Sequence, residues 1–273
     1  MTDDISGEEL KDIVELIRAQ YGYDFGSYAE ASFRRRLSRF CTLAQVSVFD
    51  LKYHLTNDSA FFLWLLQSLT VNVTEMFRDP FFYKALREEV LPSLGTYPTI
   101  KIWHAGCSTG EEAYSMAILL HEAGLLDRAR IYATDMNTAN LEKARSGIIP
   151  MASLKDYTAN YQYSGGKADF SNYYTARYDN AMISNDLRKN ILFTQHNLVT
   201  DQAFNEFQLI CCRNVLIYFN KELQNRVLNL FHDSLSPLGY LALGIKESLL
   251  FTDRRDKFAA VSLKNKIYRL KGS

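Results

Sequence analysis

Apolar residues recur at helical spacing through roughly the first seventy positions. Leu10, Ile13, Val14 and Ile17 fall on one face, and Ser6 and Glu9 precede them at the spacing of a capping box. Gly22 and Gly26 bracket a break. Phe33, Leu37 and Phe40 then mark a second amphipathic helix, and a third apolar segment covers 61–69. No strand pattern competes, so residues 1–75 read as a small all-helical domain. From residue 99 the texture changes. Short apolar runs at 100–105, 130–134, 191–195, 207–212 and 240–244 each read as a buried strand. Helical patterns lie between them: 111 to about 123, stopped by Gly124, and 221–235, stopped by Pro237 and Gly239. Strand alternating with helix implies a parallel sheet with crossover connections. At the end, 258–263 and 266–270 flank a short turn at Lys264-Asn265, which makes a hairpin and therefore an antiparallel pair. The expectation is an α/β domain over 76–273 with seven strands. Residues 150–190 break the rhythm with six tyrosines and Gly165-Gly166. They read as an insertion, either a small antiparallel subdomain or a mobile loop.

Composition narrows the classes. The chain has 273 residues, 47% apolar and 23% charged, as an ordinary globular protein does. Lys+Arg and Asp+Glu both number 31, which argues against a generic nucleic-acid coat but leaves room for a local basic patch, and no nucleic-acid partner is expected. Cys41, Cys107, Cys211 and Cys212 show neither zinc spacing nor a disulfide framework, so no metal is expected. No stretch approaches the ~20 apolar residues of a membrane helix. Met-Thr-Asp-Asp is followed by no apolar run, so no signal peptide is read and a reducing, cytoplasmic setting is expected. No exposed heptad points to a coiled-coil oligomer, and a monomer is expected.

Candidate chemistry gathers at strand ends. The first strand runs into Ala105-Gly106-Cys107-Ser108-Thr109-Gly110-Glu111-Glu112, a glycine loop opening a helix. Such a loop lets a ligand approach backbone amides closely, and a bland tight turn is the alternative. Glu111 and Glu112 occupy the place where a pyrophosphate would rest, and two carboxylates repel it. They suit a cofactor with cationic groups and no phosphate, and S-adenosylmethionine, with its sulfonium and ammonium, fits. One of the two is expected to be a ligand and the other to favour the helix dipole. The second strand ends at Thr134-Asp135, where an acid accepts hydrogen bonds from ribose hydroxyls or else caps the next helix. The third ends at Asn197-Leu198 and the fourth at Arg213-Asn214. Open α/β sheets bind ligands at these carboxyl ends.

Four segments together resemble a known family, the chemoreceptor glutamate O-methyltransferases of bacterial chemotaxis (CheR type). They are Leu69-Thr70-Val71-Asn72-Val73-Thr74-Glu75-Met76-Phe77-Arg78-Asp79, Trp103 through Ser115, Ala133-Thr134-Asp135, and Cys212-Arg213-Asn214-Val215-Leu216-Ile217-Tyr218-Phe219. The resemblance covers nearly the whole chain in order. It implies a helical N-terminal domain, a Rossmann-like seven-stranded S-adenosylmethionine-dependent methyltransferase domain, and an inserted small β-subdomain. It implies that Asn72, Thr74 and Arg78 contact the cofactor, that Glu111 binds its amino group and Asp135 its ribose. Asn197, Leu198, Arg213 and Asn214 would line its adenine and methionine ends, and Arg78 and Tyr218 would position the reaction. The implied partners are cytoplasmic helices of methyl-accepting chemoreceptors, and the implied product is S-adenosylhomocysteine. Met76 departs from the aromatic residue common at its position, and the insertion matches poorly, which leaves any docking of receptor tails there open.

A basic cluster lies on the second helix. With Phe33, Leu37 and Phe40 inward, Arg35 and Arg39 project outward and Arg34 and Arg36 flank them. Residues 1–70 hold seven basic and ten acidic side chains, so the patch is local. It reads either as a solvated face or as a dock for an acidic helix. Three rivals differ by sequence. A nicotinamide dehydrogenase needs a clearer G-x-G-x-x-G. A nucleic-acid methyltransferase needs a basic cleft and often Asn/Asp-Pro-Pro-Tyr/Phe, which Arg213-Asn214-Val215-Leu216 is not. A non-catalytic S-adenosylmethionine-binding signalling protein would have no need of both Arg78 and Tyr218.

Overall fold

The structure is a computed structural model that describes residues 5–69 and 74–272. Four helices form the N-terminal unit: α1 (Gly7–Tyr21), α2 (Glu30–Ala44), α3 (Val48–Asn57) and α4 (Ser59–Leu69). The Ser6–Glu9 capping box opens α1, and Gly22, at φ 74°, ends it. A second capping box, Ser47–Asp50, opens α3. This helix escapes a periodicity reading because only Leu51 and Leu55 are buried, while Phe49 and Tyr53 face outward. Ile13, Ile17, Leu37, Leu51, Leu55 and Leu65 are fully buried and make the core of the unit.

The junction continues as α5 (Pro80–Ala85), a π-helical turn at Leu86–Val90 and α6 (Leu91–Leu94). Then β1 (Ile100–Ala105) leads to α7 (Glu111–Glu122), and β2 (Ala129–Asp135) leads to α8 (Thr138–Ser146). The insertion follows with β3 (Ile148–Pro150), α9 (Leu154–Tyr163), β4 (Tyr174–Arg177), β5 (Asn180–Ile183) and α10 (Asn185–Arg188). After it come β6 (Ile191–Gln195), β7 (Phe207–Cys212), α11 (Lys221–Ser234), β8 (Leu235–Leu243), β9 (Phe258–Ser262) and β10 (Ile267–Leu270).

The main sheet has seven strands in the order β6-β2-β1-β7-β8-β10-β9. The first five are parallel, and β10 runs antiparallel to both its neighbours. On β1, Ile102 pairs with Ile131 of β2 and Leu209 of β7. Both faces are covered, with Ile102, Met116 and Leu119 in one layer and Trp103, Phe207 and Phe231 in the other. This accounts for the near-continuous apolar runs of the central strands. The chain order reverses between β1 and β7. A crevice therefore opens at their carboxyl ends, the position at which open α/β sheets bind ligands. The architecture is an all-helical domain followed by a Rossmann-like seven-stranded α/β domain.

The boundaries differ most from those read in sequence toward the end of the chain. Strand β8 begins at Leu235 and takes in Pro237 and Gly239, because the ladder with β7 is irregular between Phe207 and Leu209 and leaves room for both. Helix α11 accordingly stops at Ser234. The closing turn spans four residues, 263–266, with Lys266 at φ 56°. The insertion is an antiparallel sheet, order β3-β5-β4, joined by α9. Tyr161, Phe170 and Tyr173 pack it against the main body. Among the described residues no helix is long and apolar enough to cross a membrane.

Candidate active site

The crevice is a cavity with one wall of strand ends and one of helices. The glycine loop after β1 bends tightly under it. Gly106 has φ 80°, and a Cβ there would stand 2.5 Å from a Val215 methyl. Gly110 has φ 95° and packs against Ala144 and Phe193. Ser108 donates its N–H to Asp135 Oδ2 at 2.8 Å, and Asn137 donates to Oδ1 at 2.9 Å. The cap of α8 is Asn137, whose Oδ1 accepts from Ala139 N–H. Asp135 is therefore not the cap, and its carboxylate lines the cavity. Burial pushes its carboxyl up, while the backbone donors pull it down.

The two glutamates, of which the resemblance implies Glu111 as the amino-group ligand, separate. Glu112, not Glu111, lines the cavity. The Glu111 carboxylate turns back and accepts from Thr109 Oγ1 at 2.7 Å, and burial raises its carboxyl. Glu112 takes His104 Nδ1 at 2.8 Å on one oxygen and Arg213 Nη1 at 2.9 Å on the other. Burial opposes its ionisation, but the His104 hydrogen bond and the Arg213 charge outweigh that and hold it at about 2. Consecutive helical residues point about 100° apart, so one acid faces the sheet and the other faces away. A His104 ring nitrogen, a Glu112 oxygen and Cys211 Sγ lie within 4.8 Å of one another. In that set one Glu112 oxygen also holds the Arg213 guanidinium, and burial raises the Cys211 thiol.

Asn197, Leu198, Arg213 and Asn214 all line the cavity. Asn197 also turns its own loop, with Oδ1 accepting from Val199 N–H at 3.0 Å. Arg213 grips protein groups: besides Glu112, its Nη2 donates to Asp79 Oδ2 at 2.6 Å and to the Arg78 carbonyl at 3.1 Å. Sequence reasoning missed Glu247. This buried acid accepts the N–H groups of Gly244, Asn214 and Val215 at 2.6, 3.1 and 2.8 Å, and so pins the end of β7 to the loop after β8. Its signal was an acid just past an apolar strand. His196, also missed, lines the cavity and donates Nε2–H to the Gln202 carbonyl at 3.2 Å.

The helical wall carries Phe25, Tyr28, Phe33 and Arg36, with Thr74 and Arg78 from the junction. Tyr218 faces them from the short turn after β7. The Arg36 guanidinium lies 4.1 Å from the centre of the Tyr218 ring and donates to the Leu69 carbonyl at 2.5 Å. Arg36 is thus the arginine of the basic cluster that reaches the cavity. It was placed only on a flank in sequence because the tilt of α2 against a second domain is not readable from periodicity. Arg35 and Arg39 stay exposed, and Arg35 borders a separate surface groove with Arg34 and Ser38. Asn72 lies outside the described residues.

The donor set fits S-adenosylmethionine. Glu112 suits an ammonium, and Asp135 suits paired hydroxyls. Residues 72–267 match the family model of the CheR methyltransferase, SAM binding domain, and residues 8–70 match that of the CheR methyltransferase, all-alpha domain. The putative methyltransferase Cher3 of Pseudomonas putida is 49% identical over 264 residues, covering 96% of each chain. A chemotaxis protein methyltransferase of Vibrio parahaemolyticus is 32% identical, covering 98% of each chain. One of Listeria monocytogenes is 29% identical over 86% of this chain and 88% of its own.

Proposed function

The chain belongs to the CheR methyltransferase family, and from that premise we propose that it methylates glutamate side-chain carboxylates of methyl-accepting chemotaxis receptors. The products are glutamate 5-O-methyl esters and S-adenosylhomocysteine. The observation that carries this reading is the make-up of one cavity. Its strand wall offers Asp135 and Glu112, suited to a cationic, hydroxylated cofactor, and its helical wall offers Arg36 and Arg78, suited to an anionic acceptor.

A glutamate carboxyl with a pKa near ~4.3 is ionised at neutral pH, so the acceptor needs no general base. When bound, S-adenosylmethionine supplies a methyl on a cationic sulfur, which takes the bonding pair as the carboxylate oxygen bonds the methyl. The chain's own task is alignment. In this reading Glu112 holds the cofactor ammonium and Asp135 the ribose. Thr74, together with Asn72, contacts the cofactor from the junction, and Asn197, Leu198 and Asn214 flank the adenine and methionine ends. Arg78 orients the acceptor carboxylate, and Tyr218, stacked under Arg36, keeps that guanidinium turned to the same place. The exposed Arg35 and Arg39 present positive charge to an acidic receptor helix, whose cytoplasmic location would set that of the enzyme.

The test is transfer of labelled methyl from S-adenosylmethionine to receptors, followed by alkali. Methyl esters release volatile methanol, whereas N-methyl and C-methyl groups do not. Alkali-labile label on a receptor band, lost in Arg78→Ala, is the expected result. Alkali-stable label, or none on any receptor, overturns the substrate assignment.

A further inference from the structure

The turn that carries Arg78 has a backbone shape that its residues disfavour. Phe77 has φ 53°, and Asp79 has φ 57° and ψ 68°. Left-handed conformations crowd the Cβ of an L-residue, and two of them flank one arginine here. Such a shape persists only where the surroundings impose it.

The surroundings impose it from two sides. Phe77 is fully buried, its N–H donates to Ser115 Oγ at 2.9 Å, and its ring packs on Tyr83, Tyr161 and Phe170. Asp79 stands just before Pro80, at the place where an aspartate ordinarily caps a helix, yet its side chain makes no cap hydrogen bond to α5. Its carboxylate instead accepts from Arg213 Nη2 at 2.6 Å, and the same nitrogen donates to the Arg78 carbonyl at 3.1 Å. Nη1 of that guanidinium holds Glu112, whose other oxygen takes His104. The Arg213 side chain is 1% exposed and lies 4.0 Å from the centre of the Phe82 ring. One planar fork thus grips the Arg78 turn with one arm and the cavity carboxylate with the other. A lysine could not do both, since a single ammonium lacks the fork.

We infer that Asp79 and Arg213 are positioning residues for methyl transfer: they set the backbone of Arg78, and thereby its side chain, in register with the cofactor seat at Glu112. The inference rests on the reading of Arg78 as the residue that orients the acceptor. Asp79 is the better probe, because its side chain is 30% exposed and its removal leaves the Arg213–Glu112 pair in place.

The experiment measures methyl-transfer kinetics, S-adenosylhomocysteine affinity and thermal unfolding for Asp79→Ala, Asp79→Asn, Arg78→Ala and the double variant Asp79→Ala/Arg78→Ala. Asp79→Ala is expected to lower kcat about ten- to a hundredfold, the scale of a misplaced reacting group, with cofactor-product affinity unchanged. Asp79→Asn, which keeps an acceptor oxygen for Arg213, recovers most of the loss. In the Arg78→Ala background the Asp79→Ala change adds less than about threefold, as coupled residues do. A purely structural role predicts instead that the two losses multiply, and that outcome overturns the inference. Loss in Arg78→Ala beside normal kcat in Asp79→Ala overturns the clamp alone. Full turnover in Arg78→Ala overturns the reading of Arg78, and the clamp with it.

Discussion

On the strand side of the cavity, Asp135 and the chain at Asn214 are fixed through main-chain N–H groups. Asp135 takes two main-chain N–H groups, Glu247 takes three more around Asn214, and Gly106 leaves no space for a side chain. On the helical side, the groups are held mainly by side chains that cross between domains. Arg36 stacks on Tyr218, and Tyr28 meets Phe219 edge-on, with rings 5.2 Å apart. Only a few main-chain links support them, such as Ala29 N–H to the Tyr218 carbonyl at 2.9 Å and Asn220 N–H to the Ser27 carbonyl at 3.0 Å. Backbone anchoring suits a cofactor that is the same at every turnover. Side-chain anchoring across a domain junction suits an acceptor that is a surface of another protein and has to be admitted and released.

That division makes three predictions. Asp135→Ala removes charge-assisted hydrogen bonds, each worth about 1.5–3 kcal/mol, and should weaken S-adenosylhomocysteine binding about 10- to 100-fold by calorimetry. Unchanged affinity would mean that the strand wall does not seat the cofactor. Arg36→Ala removes a cation–π contact of about 0.5–2 kcal/mol and should raise the KM for receptor roughly tenfold, with cofactor affinity intact. Equal weakening of both ligands would erase the contrast between the walls. The smallest effect concerns acid. The folded Glu112 pKa of about 2 lies below the ordinary value of 4.5, so the stability it contributes is full above 4.5 and lost as pH falls toward 2. Wild type should unfold a few degrees above Glu112→Gln at neutral pH, by the usual conversion of free energy to Tm, and the gap should close below pH 4.5. A gap that stays constant down to pH 3 would show that Glu112 is not held ionised by Arg213 and His104.

The seven strands of the main sheet, though not their order, were legible because buried parallel strands read as continuous apolar runs and their crossover helices carry clear stops. Helix α3 was not legible, because its outer face bears Phe49 and Tyr53 and blurs the period. The insertion could be recognised as foreign to the rhythm but not resolved, since its strands are three or four residues long and hold together through Tyr161, Phe170 and Tyr173. In the site, Asp135, Asn197, Leu198, Arg213 and Asn214 could be located because strand ends converge in this topology. Arg36 and Glu247 could not, because Arg36 reaches the cavity, and Glu247 the Asn214 amide, from segments whose approach angle depends on packing.

By itself, then, the sequence determined the helical N-terminal unit, the parallel sheet and the chemistry gathered at its carboxyl edge, since local spacing decides which residues face a core. Only the tertiary structure decided which acid of Glu111-Glu112 enters the cavity. Both begin α7 with the same helical propensity, and the difference between them is that His104 on β1 and Arg213 at the end of β7 stand on one side of that helix. The same holds for Asp79: its position in the chain marks a helix cap, and only the approach of a guanidinium from 134 residues away turns it to Arg213 instead.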